Sequence, residues 1–327
     1  MGSVSLGQRA KGKGQSLVFF GNERLATGAT TTAPTLQALI VAGYDVKAVV
    51  SNYERGTSRN ARELEIKEVA DKNGIPLLLP DKPVDIIDQL KSFSAEVAVL
   101  VAYGRIVPQE IIDVFPKGII NIHPSLLPLH RGPIPLESVI LNGEVKTGVS
   151  VMQLVKAMDA GPVYGQTEVV LNGNETKQEL ADKLLEIGGK MVIELLPGIL
   201  NGSVIAKPQD DTKATYDKMI GKADGIIDWH KTAEQIEREI RAYAEWPKSY
   251  TSIAKREVIL TSAHVVESPK SKVESRKLKP GEISITEDKE LAVQTGDRLL
   301  IVDKLKPAGK KEMSAKEFLA GHGKDIY

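Results

Sequence analysis

Short apolar runs alternate with helical segments along the N-terminal part of the chain. The runs SLVFFG, DVKAVVS, IPLLL and AEVAVLVAYG resemble buried strands, and APTLQALIVAG, ARELEIKEVADKNG and VDIIDQLKSF separate them as helices. This alternation is typical of βαβ units, in which helices cover both faces of a parallel sheet. Two further strands are predicted at 118–123 and 147–154, and a long amphipathic helix at 177–200. We therefore predict an α/β domain with a Rossmann-like, mostly parallel sheet over residues 16–200.

The C-terminal part of the chain has a different pattern. A stretch with Pro, Gly and paired Asp at 201–212 predicts a linker, and one helix, KTAEQIEREIRAYAEW, follows it. The segments SYTSIA, EVILTSAHVV, GEISITE, ELAVQTG and RLLIVDKLKP then favour a small OB-like β-barrel domain over residues 213–327. Residues 1–15 are rich in Gly and Lys, and we expect a disordered arm there, either native or left from cloning.

Composition narrows the classes of function. Lys and Arg total 43, as do Asp and Glu, so no overall charge favours nucleic acid or membrane, and any basic surface must be local. The absence of Cys excludes disulfides, thiolate nucleophiles and metal sites with Cys ligands. The apolar runs are too short for a membrane span, and the N-terminus lacks the apolar core of a signal peptide. We expect a soluble, cytoplasmic protein that acts as a monomer.

The stretch NIHPSLLPLHRG, which begins at Asn121, carries the strongest chemical signal. Ligands of open α/β sheets bind beyond the carboxyl ends of the strands, and Asn121 and His123 lie two residues apart at such an end, so they share a face. An Asn amide donates hydrogen bonds without charge, and a His exchanges protons near neutral pH, so together they are suited to stabilise an oxyanion. Asp159, in a turn after the next strand, is the best candidate for a carboxylate that orients His123.

Each of these residues also has an ordinary structural explanation. A single His at a strand end is more often structural, an Asp in Asp-Ala-Gly-Pro is often only a turn former, and Arg131 alone would be a solvated charge. Spacing alone does not decide between these explanations and a shared site.

A family resemblance favours the shared site. The runs INIHPSLLPLHRGPIP, VKTGVSVMQL, MDAGPV, VAYGRIVP, TYDKMIGKADGIIDW, IEREIRAYAEWP and LKPAGKKEMSAKEFL span nearly everything after Ser16. They resemble the formyltransferases that use 10-formyltetrahydrofolate, specifically the members that formylate the α-amine of methionyl-initiator tRNA. The resemblance implies a folate cosubstrate, no metal, and a charged initiator tRNA as partner.

The same resemblance implies roles for individual residues. Asn121, His123 and Asp159 correspond to the catalytic group. The backbone of Ala102, Tyr103 and Gly104 is expected to line the pterin pocket, with the SLLP loop on the folate side: Ser125, Leu126, Leu127 and Pro128.

The expected tRNA contacts are basic residues at several places in the sequence. Arg55, Arg59 and Arg62 lie in one loop, Arg131 follows the SLLP loop, and KPAGKK carries Lys306, Lys310 and Lys311. The loop after the first predicted strand departs from the family pattern, because Gly21 is followed by Asn and Glu where relatives have Thr and Pro. We expect this loop to face the acceptor, so the departure bears on the acceptor rather than on the formyl chemistry.

Three other functions remain open at this stage. The acceptor can be a small amine, such as an amino sugar or glycinamide ribonucleotide, although the single Gly21 followed by Asn22 and Glu23 is a poor phosphate cradle. A formyltetrahydrofolate hydrolase would share the catalytic group, but we expect it to carry an additional domain before it. A non-catalytic RNA-binding protein would have no need of the Asn, His and Asp together.

Overall fold

The computed structural model describes residues 14–22, 32–52, 65–266 and 278–323. Within these residues the chain forms two compact units. The first unit draws on Met1–Leu136, Val145–Leu171 and Gln178–Lys218, and the second on Glu137–Glu144, Asn172–Lys177 and Met219–Tyr327. The residues predicted as a linker, 201–212, therefore belong to the first unit, as do residues 213–218.

The first unit is built on a seven-stranded sheet in its described part, with the order β3-β2-β1-β4-β5-β6-β7. Strands β1 to β5 are parallel, and β6 and β7 are antiparallel additions at one edge. The Rossmann-like, mostly parallel sheet is thus confirmed. The strands are β1 (Ser16–Gly21), β2 (Asp45–Val50), β3 (Leu77–Leu78), β4 (Val97–Val101), β5 (Ile119–His123), β6 (Lys146–Gln153) and β7 (Val163–Val170).

Strand β7 did not emerge from the sequence pattern. Its segment, VYGQTEVV, contains one fully buried residue, Val169, because β7 lies at the edge of the sheet. Central strands such as β4 are instead buried at every position and form continuous apolar runs. The segment of β7 has no such run, and this explains why the pattern did not predict it.

Helices cover both faces of this sheet. They are α1 (Ala33–Val41), α2 (Glu65–Lys72), α3 (Ile87–Ser92), α4 (Gln109–Ile112) and α6 (Lys177–Asn201). Most of a further helix, α5 (Pro135–Asn142), belongs to the second unit. Helices α3 and α4 contribute Leu90 and Ile111 to a cluster that includes Ile119 of β5. Gly188 of α6 packs so closely on Ile122 of β5 that a Cβ atom would overlap it. Because Ile119 and Ile122 lie on opposite faces of β5, α6 covers the face opposite α3 and α4.

The second unit contains the separate antiparallel sheet expected of the OB-like domain. Its strands follow the order β10-β11-β12-β9-β8, and β13 pairs with β12. Ile236 and Ile240 of α7 and Phe318 of α8 pack with the apolar side of this sheet in a second core. The elements are α7 (Ala233–Ala242), β8 (Ser249–Ile253), β9 (Arg256–Val265), β10 (Ile283–Ile285), β11 (Leu291–Gln294), β12 (Leu299–Pro307), β13 (Met313–Ser314) and α8 (Ala315–His322).

No helix in the described ranges is both long and apolar enough to cross a membrane.

Candidate active site

Asn121 and His123 lie at the carboxyl end of β5 and share one of its faces. Each is 5% exposed. Strand β5 pairs with β4 on one side and with β6 on the other. Ile119 precedes Asn121 and His123 on the same face, where it packs with α3 and α4. This face thus changes from apolar to polar at the end of the strand, where ligands of open α/β sheets bind.

The hydrogen bonds of His123 define what its two ring nitrogens do. Nε2 lies 2.8 Å from the backbone carbonyl oxygen of His130, and Nδ1 lies 3.7 Å from Oδ1 of Asp159. A carbonyl only accepts hydrogen bonds, so this contact places a proton on Nε2 and leaves Nδ1 of the neutral ring with a lone pair toward Asp159. A proton that reached Nδ1 would form an ion pair with that carboxylate. The pair is therefore arranged to take up or deliver a proton at Nδ1.

Asp159 is held in place by the backbone around it. Its Oδ2 accepts a hydrogen bond from the Gly132 N–H at 2.9 Å, and its own φ of +47° lies in the left-handed region. Ala102 and His130 also have positive φ, at 47° and 57°. A positive φ is costly for residues other than Gly, and such residues concentrate at functional sites. Contacts with the rest of the fold must therefore hold Ala102, His130 and Asp159 in these conformations.

The SLLP loop is fixed mainly by hydrogen bonds to its backbone. Ser125 donates to the Leu129 carbonyl at 2.6 Å, so its buried hydroxyl bonds within the loop. Ser150 of β6 donates to the Ser125 carbonyl at 2.6 Å and accepts from the Leu127 N–H at 3.1 Å, and Gln166 of β7 donates to the Leu127 carbonyl at 2.7 Å. Sequence reasoning missed Ser150 and Gln166, because neither stands in the motif that they support.

The segment from Ala102 to Gly104 turns sharply at the end of β4. The Tyr103 ring is buried edge-on against Phe20, with 5.3 Å between ring centroids, and this burial raises the pKa of its hydroxyl. Asn52, the second residue after β2, donates to the Tyr103 carbonyl. Within the described ranges, Asn52 Oδ1 has no hydrogen-bond partner although it is buried. Sequence reasoning missed Asn52, although polar residues that follow a buried parallel strand were an available signal.

Arg131 lies inside the first unit. Its side chain is 1% exposed, and its guanidinium donates to Gln209, to Asp211 at 2.6 Å and to the Tyr216 hydroxyl at 2.8 Å. This placement argues against the predicted contact between Arg131 and tRNA, because a guanidinium buried among internal acceptors does not present its charge to phosphate groups.

The other predicted tRNA residues fall in two places. Arg55, Arg59 and Arg62 lie outside the described residues. Lys306 is exposed on β12, and Lys310 and Lys311 are exposed in the turn that follows this strand. No group of three His, Cys, Asp or Glu residues that would hold a metal ion occurs in the described ranges.

Comparisons with known proteins identify the family of this chain. The formyl transferase family matches residues 25–196, and the formyl transferase C-terminal domain matches residues 219–323. A methionyl-tRNA formyltransferase from a Sulfurihydrogenibium species is 35% identical over 294 residues, which cover 88% of this chain and 93% of the relative. A methionyl-tRNA formyltransferase from Chloroflexus aggregans is 36% identical over 316 residues, which cover 95% of this chain and 98% of the relative.

A solved structure supports the fold. The crystal structure of an N-formyltransferase from Helicobacter canadensis, in complex with folinic acid and dTDP-3-aminofucose, superimposes with a TM-score of 0.64 at 17% identity. The match covers 92% of this chain and all of the other, 100%. The two domain matches and the identity to full-length relatives lead to one conclusion: this chain belongs to the formyl transferase family.

Proposed function

We propose that this chain transfers the formyl group of 10-formyltetrahydrofolate to the α-amine of methionyl-initiator tRNA. The observation that carries the proposal is the arrangement at the end of β5, where His123 Nδ1 faces the Asp159 carboxylate at 3.7 Å and Asn121 shares the strand face of His123. This arrangement combines an uncharged hydrogen-bond donor with a proton-exchanging pair, the combination that formyl transfer to an amine requires.

Each member of the group has a distinct task in this proposal. Bound 10-formyltetrahydrofolate supplies the electrophilic formyl carbon. The acceptor amine forms a bond to that carbon and loses one proton, while the bond to the folate nitrogen breaks and that nitrogen gains one proton. Asn121 donates a hydrogen bond to the formyl oxygen as negative charge develops there. His123 takes up the proton of the amine, Asp159 stabilises the imidazolium that results, and His123 then gives that proton to the folate nitrogen.

The folate site has suitable walls. We assign the apolar side of this site to Leu126 and Leu127, and its polar edge to the backbone from Ala102 to Gly104, which follows the neighbouring strand β4. The pterin ring is flat with donors and acceptors on its rim, so it suits a mostly apolar pocket with few polar groups. The buried Asn52 Oδ1, which lacks a partner in the described structure, is an additional acceptor beside Tyr103.

The tRNA is proposed to bind through local basic groups. Lys306, Lys310 and Lys311 are exposed in the second unit, and Arg55, Arg59 and Arg62 are proposed as contacts from the first. Lysine contacts to phosphates contribute affinity that falls as salt rises. Because charged tRNA is a cytoplasmic substrate, the proposal also places the enzyme in the cytoplasm, where we expect it to act as a monomer.

A direct assay tests this function. The protein is incubated with 10-formyltetrahydrofolate and one acceptor at a time: methionyl-initiator tRNA, uncharged initiator tRNA, glycinamide ribonucleotide or a dTDP-amino sugar. We expect formylmethionyl-tRNA and tetrahydrofolate in equal amounts with the charged tRNA, formed at least ~10²-fold more slowly by Asp159→Asn as the control. Formylation of a small amine in preference to the charged tRNA would overturn the assignment of the acceptor.

A further inference from the structure

Gln209 lies in the stretch predicted as a linker, yet its side chain bridges two parts of the candidate active site. Its Oε1 accepts hydrogen bonds from Nε and Nη2 of Arg131 at 3.1 and 2.8 Å. Its Nε2 donates to the backbone carbonyls of Asp159 at 2.8 Å and Gly161 at 2.7 Å. Both ends of the amide are therefore satisfied, and a flipped amide would place its NH₂ group against the guanidinium.

Arg131 is itself fixed on several sides. The guanidinium carbon lies 5.6 Å from the centre of the Tyr216 ring, and Nη1 donates to the Tyr216 hydroxyl. The backbone N–H of Arg131 donates to the Thr215 carbonyl at 2.9 Å, and its carbonyl accepts from the Asp217 N–H at 2.8 Å. Such a guanidinium has little freedom to move, so it determines where Gln209 lies.

The two neighbours of Arg131 contact the catalytic side chains directly. The His130 carbonyl accepts from His123, and the Gly132 N–H donates to Asp159. A closed path therefore runs from His123 through residues 130–132 to Asp159, and a second path runs from Arg131 through Gln209 to the Asp159 backbone. Asp159 has a positive φ, a conformation that needs such external support.

We propose that Arg131 and Gln209 are positioning residues that fix the Asp159 carboxylate opposite His123. Neither is assigned contact with a substrate. The inference rests on the proposed function, because it describes how the proton-exchanging pair of that reaction is held. A positioning role differs from a purely structural role in one respect: the loss of kcat when Arg131 or Gln209 is replaced depends on the presence of the Asp159 carboxylate.

Gln209→Met is the sharpest test, because it keeps the length of the side chain and removes all four of its hydrogen bonds, two from Arg131 and two to backbone carbonyls. We expect kcat to fall roughly ten- to hundredfold, the effect of losing the two bonds that hold the backbone at Asp159 and Gly161, while KM for folate and for tRNA changes less than about threefold. In an Asp159→Asn background the same change should alter kcat less than about twofold. Equal effects in both backgrounds, or a change confined to KM, would overturn the proposal.

Two further variants distinguish a loss of positioning from a general loss of folding. Arg131→Lys retains the charge but not the paired contact with Gln209, and we expect it to lie between the native enzyme and Gln209→Met. Gln178→Met is the matched control, because the Gln178 amide on α6 donates to the exposed Asp182 carboxylate, and kcat should stay unchanged. A fall in kcat for this control as large as that of Gln209→Met would contradict a specific role.

A spectroscopic measurement separates this inference from the proposed function. The ¹⁵N chemical shift of His123 Nδ1 reports whether the Asp159 carboxylate faces it. In Gln209→Met we expect this shift to move toward its value in Asp159→Asn. A shift identical to that of the native protein would overturn the positioning role. If the protein formylates no tRNA but the shift moves, the proposed function fails and the positioning role stands.

Discussion

The loop from His123 to Gly132 and the basic turn after β12 differ in the solvent exposure of their polar side chains. In the loop, Ser125, His130 and Arg131 are 0, 7 and 1% exposed, and each bonds within the first unit. In the second unit, Lys306, Lys310 and Lys311 extend into solvent. The loop has the fixed geometry that chemistry requires, whereas the lysines offer charge with little geometric constraint.

This difference predicts two classes of mutational effect. Catalysis depends on groups held to within fractions of an ångström, so changes in the loop and its supports should alter turnover. Phosphate binding depends on charge near the polynucleotide, so changes in the basic turn should alter affinity and its salt dependence. The comparison fails if either region shows the effect expected of the other.

The largest effects are expected for the catalytic group. Asn121→Asp keeps the side-chain volume but places a negative charge beside the formyl oxygen, so kcat should fall at least ~10²-fold. His123→Ala and Asp159→Asn should each be comparably severe. Single-turnover rates at saturating substrates provide the measurement.

The double variant tests whether His123 and Asp159 act as one unit. Because the two residues serve the same proton transfer, His123→Ala combined with Asp159→Asn should cost little more than either alone. If the two losses simply multiply, the pairing inferred from the 3.7 Å contact is wrong.

A smaller effect, on binding rather than turnover, is expected at the basic turn. Replacement of Lys306, Lys310 and Lys311 by Ala should raise KM for charged tRNA about tenfold and lower the log–log salt slope by up to ~0.9 per lost phosphate contact. Turnover at saturating tRNA should change little. The measurement is KM across a salt series.

A triple lysine variant elsewhere on the protein controls for the loss of three positive charges. Lys91, Lys117 and Lys183 are exposed in the first unit, and their joint replacement by Ala removes the same charge. If both triple variants raise KM equally, the effect reflects net charge rather than a binding surface at the turn.

The same contrast explains what the sequence made predictable. Asn121 and His123 were identified because both signals, a buried strand and polar residues at its end, are local. Arg131 was assigned to tRNA because an isolated Arg in a loop resembles a surface charge, and its contact with Gln209 spans 78 positions. No local pattern reveals that pairing. Likewise, 201–212 has a linker composition, and the contacts that Gln209 makes with Asp159 and Gly161 span 50 and 48 positions.

An intermediate effect is expected where packing, rather than hydrogen bonding, supports the SLLP loop. A Cβ atom at Gly148 of β6 would lie 2.5 Å from Leu126 Cδ2 and would also overlap the Thr167 carbonyl oxygen. Gly148→Ala should therefore destabilise the first unit by about 1–3 kcal/mol and raise KM for the folate, because Leu126 must move. Gly321→Ala is the control, since nothing lies within 4 Å of a Cβ atom there. An unchanged folate KM in Gly148→Ala would remove Leu126 from the folate site.

The smallest effect is expected at the cap of α8, next to the basic turn. The Ser314 hydroxyl accepts a hydrogen bond from the Glu317 N–H at 3.2 Å. The hydroxyl and the backbone N–H of Ser314 donate to the Glu317 carboxylate at 2.7 and 2.8 Å, and these two bonds lower the pKa of Glu317 below its ordinary 4.5. Ser314→Ala should cost about 1 kcal/mol of local stability, measured by hydrogen exchange of the α8 amides.

The acid dependence of this cap has a defined sign. Because the folded state lowers the pKa of Glu317, the stability that the carboxylate contributes is present above pH 4.5 and is lost as the pH falls through the folded value. The difference in α8 stability between the native protein and Ser314→Ala should therefore become smaller as the pH falls below the folded-state pKa of Glu317. Turnover and KM for tRNA at neutral pH should stay unchanged, because exposed lysines need no precise support. If the cap variant instead raises KM for tRNA as far as the triple lysine variant does, the turn depends on its geometry as strictly as the catalytic loop does, and the contrast between the two regions fails.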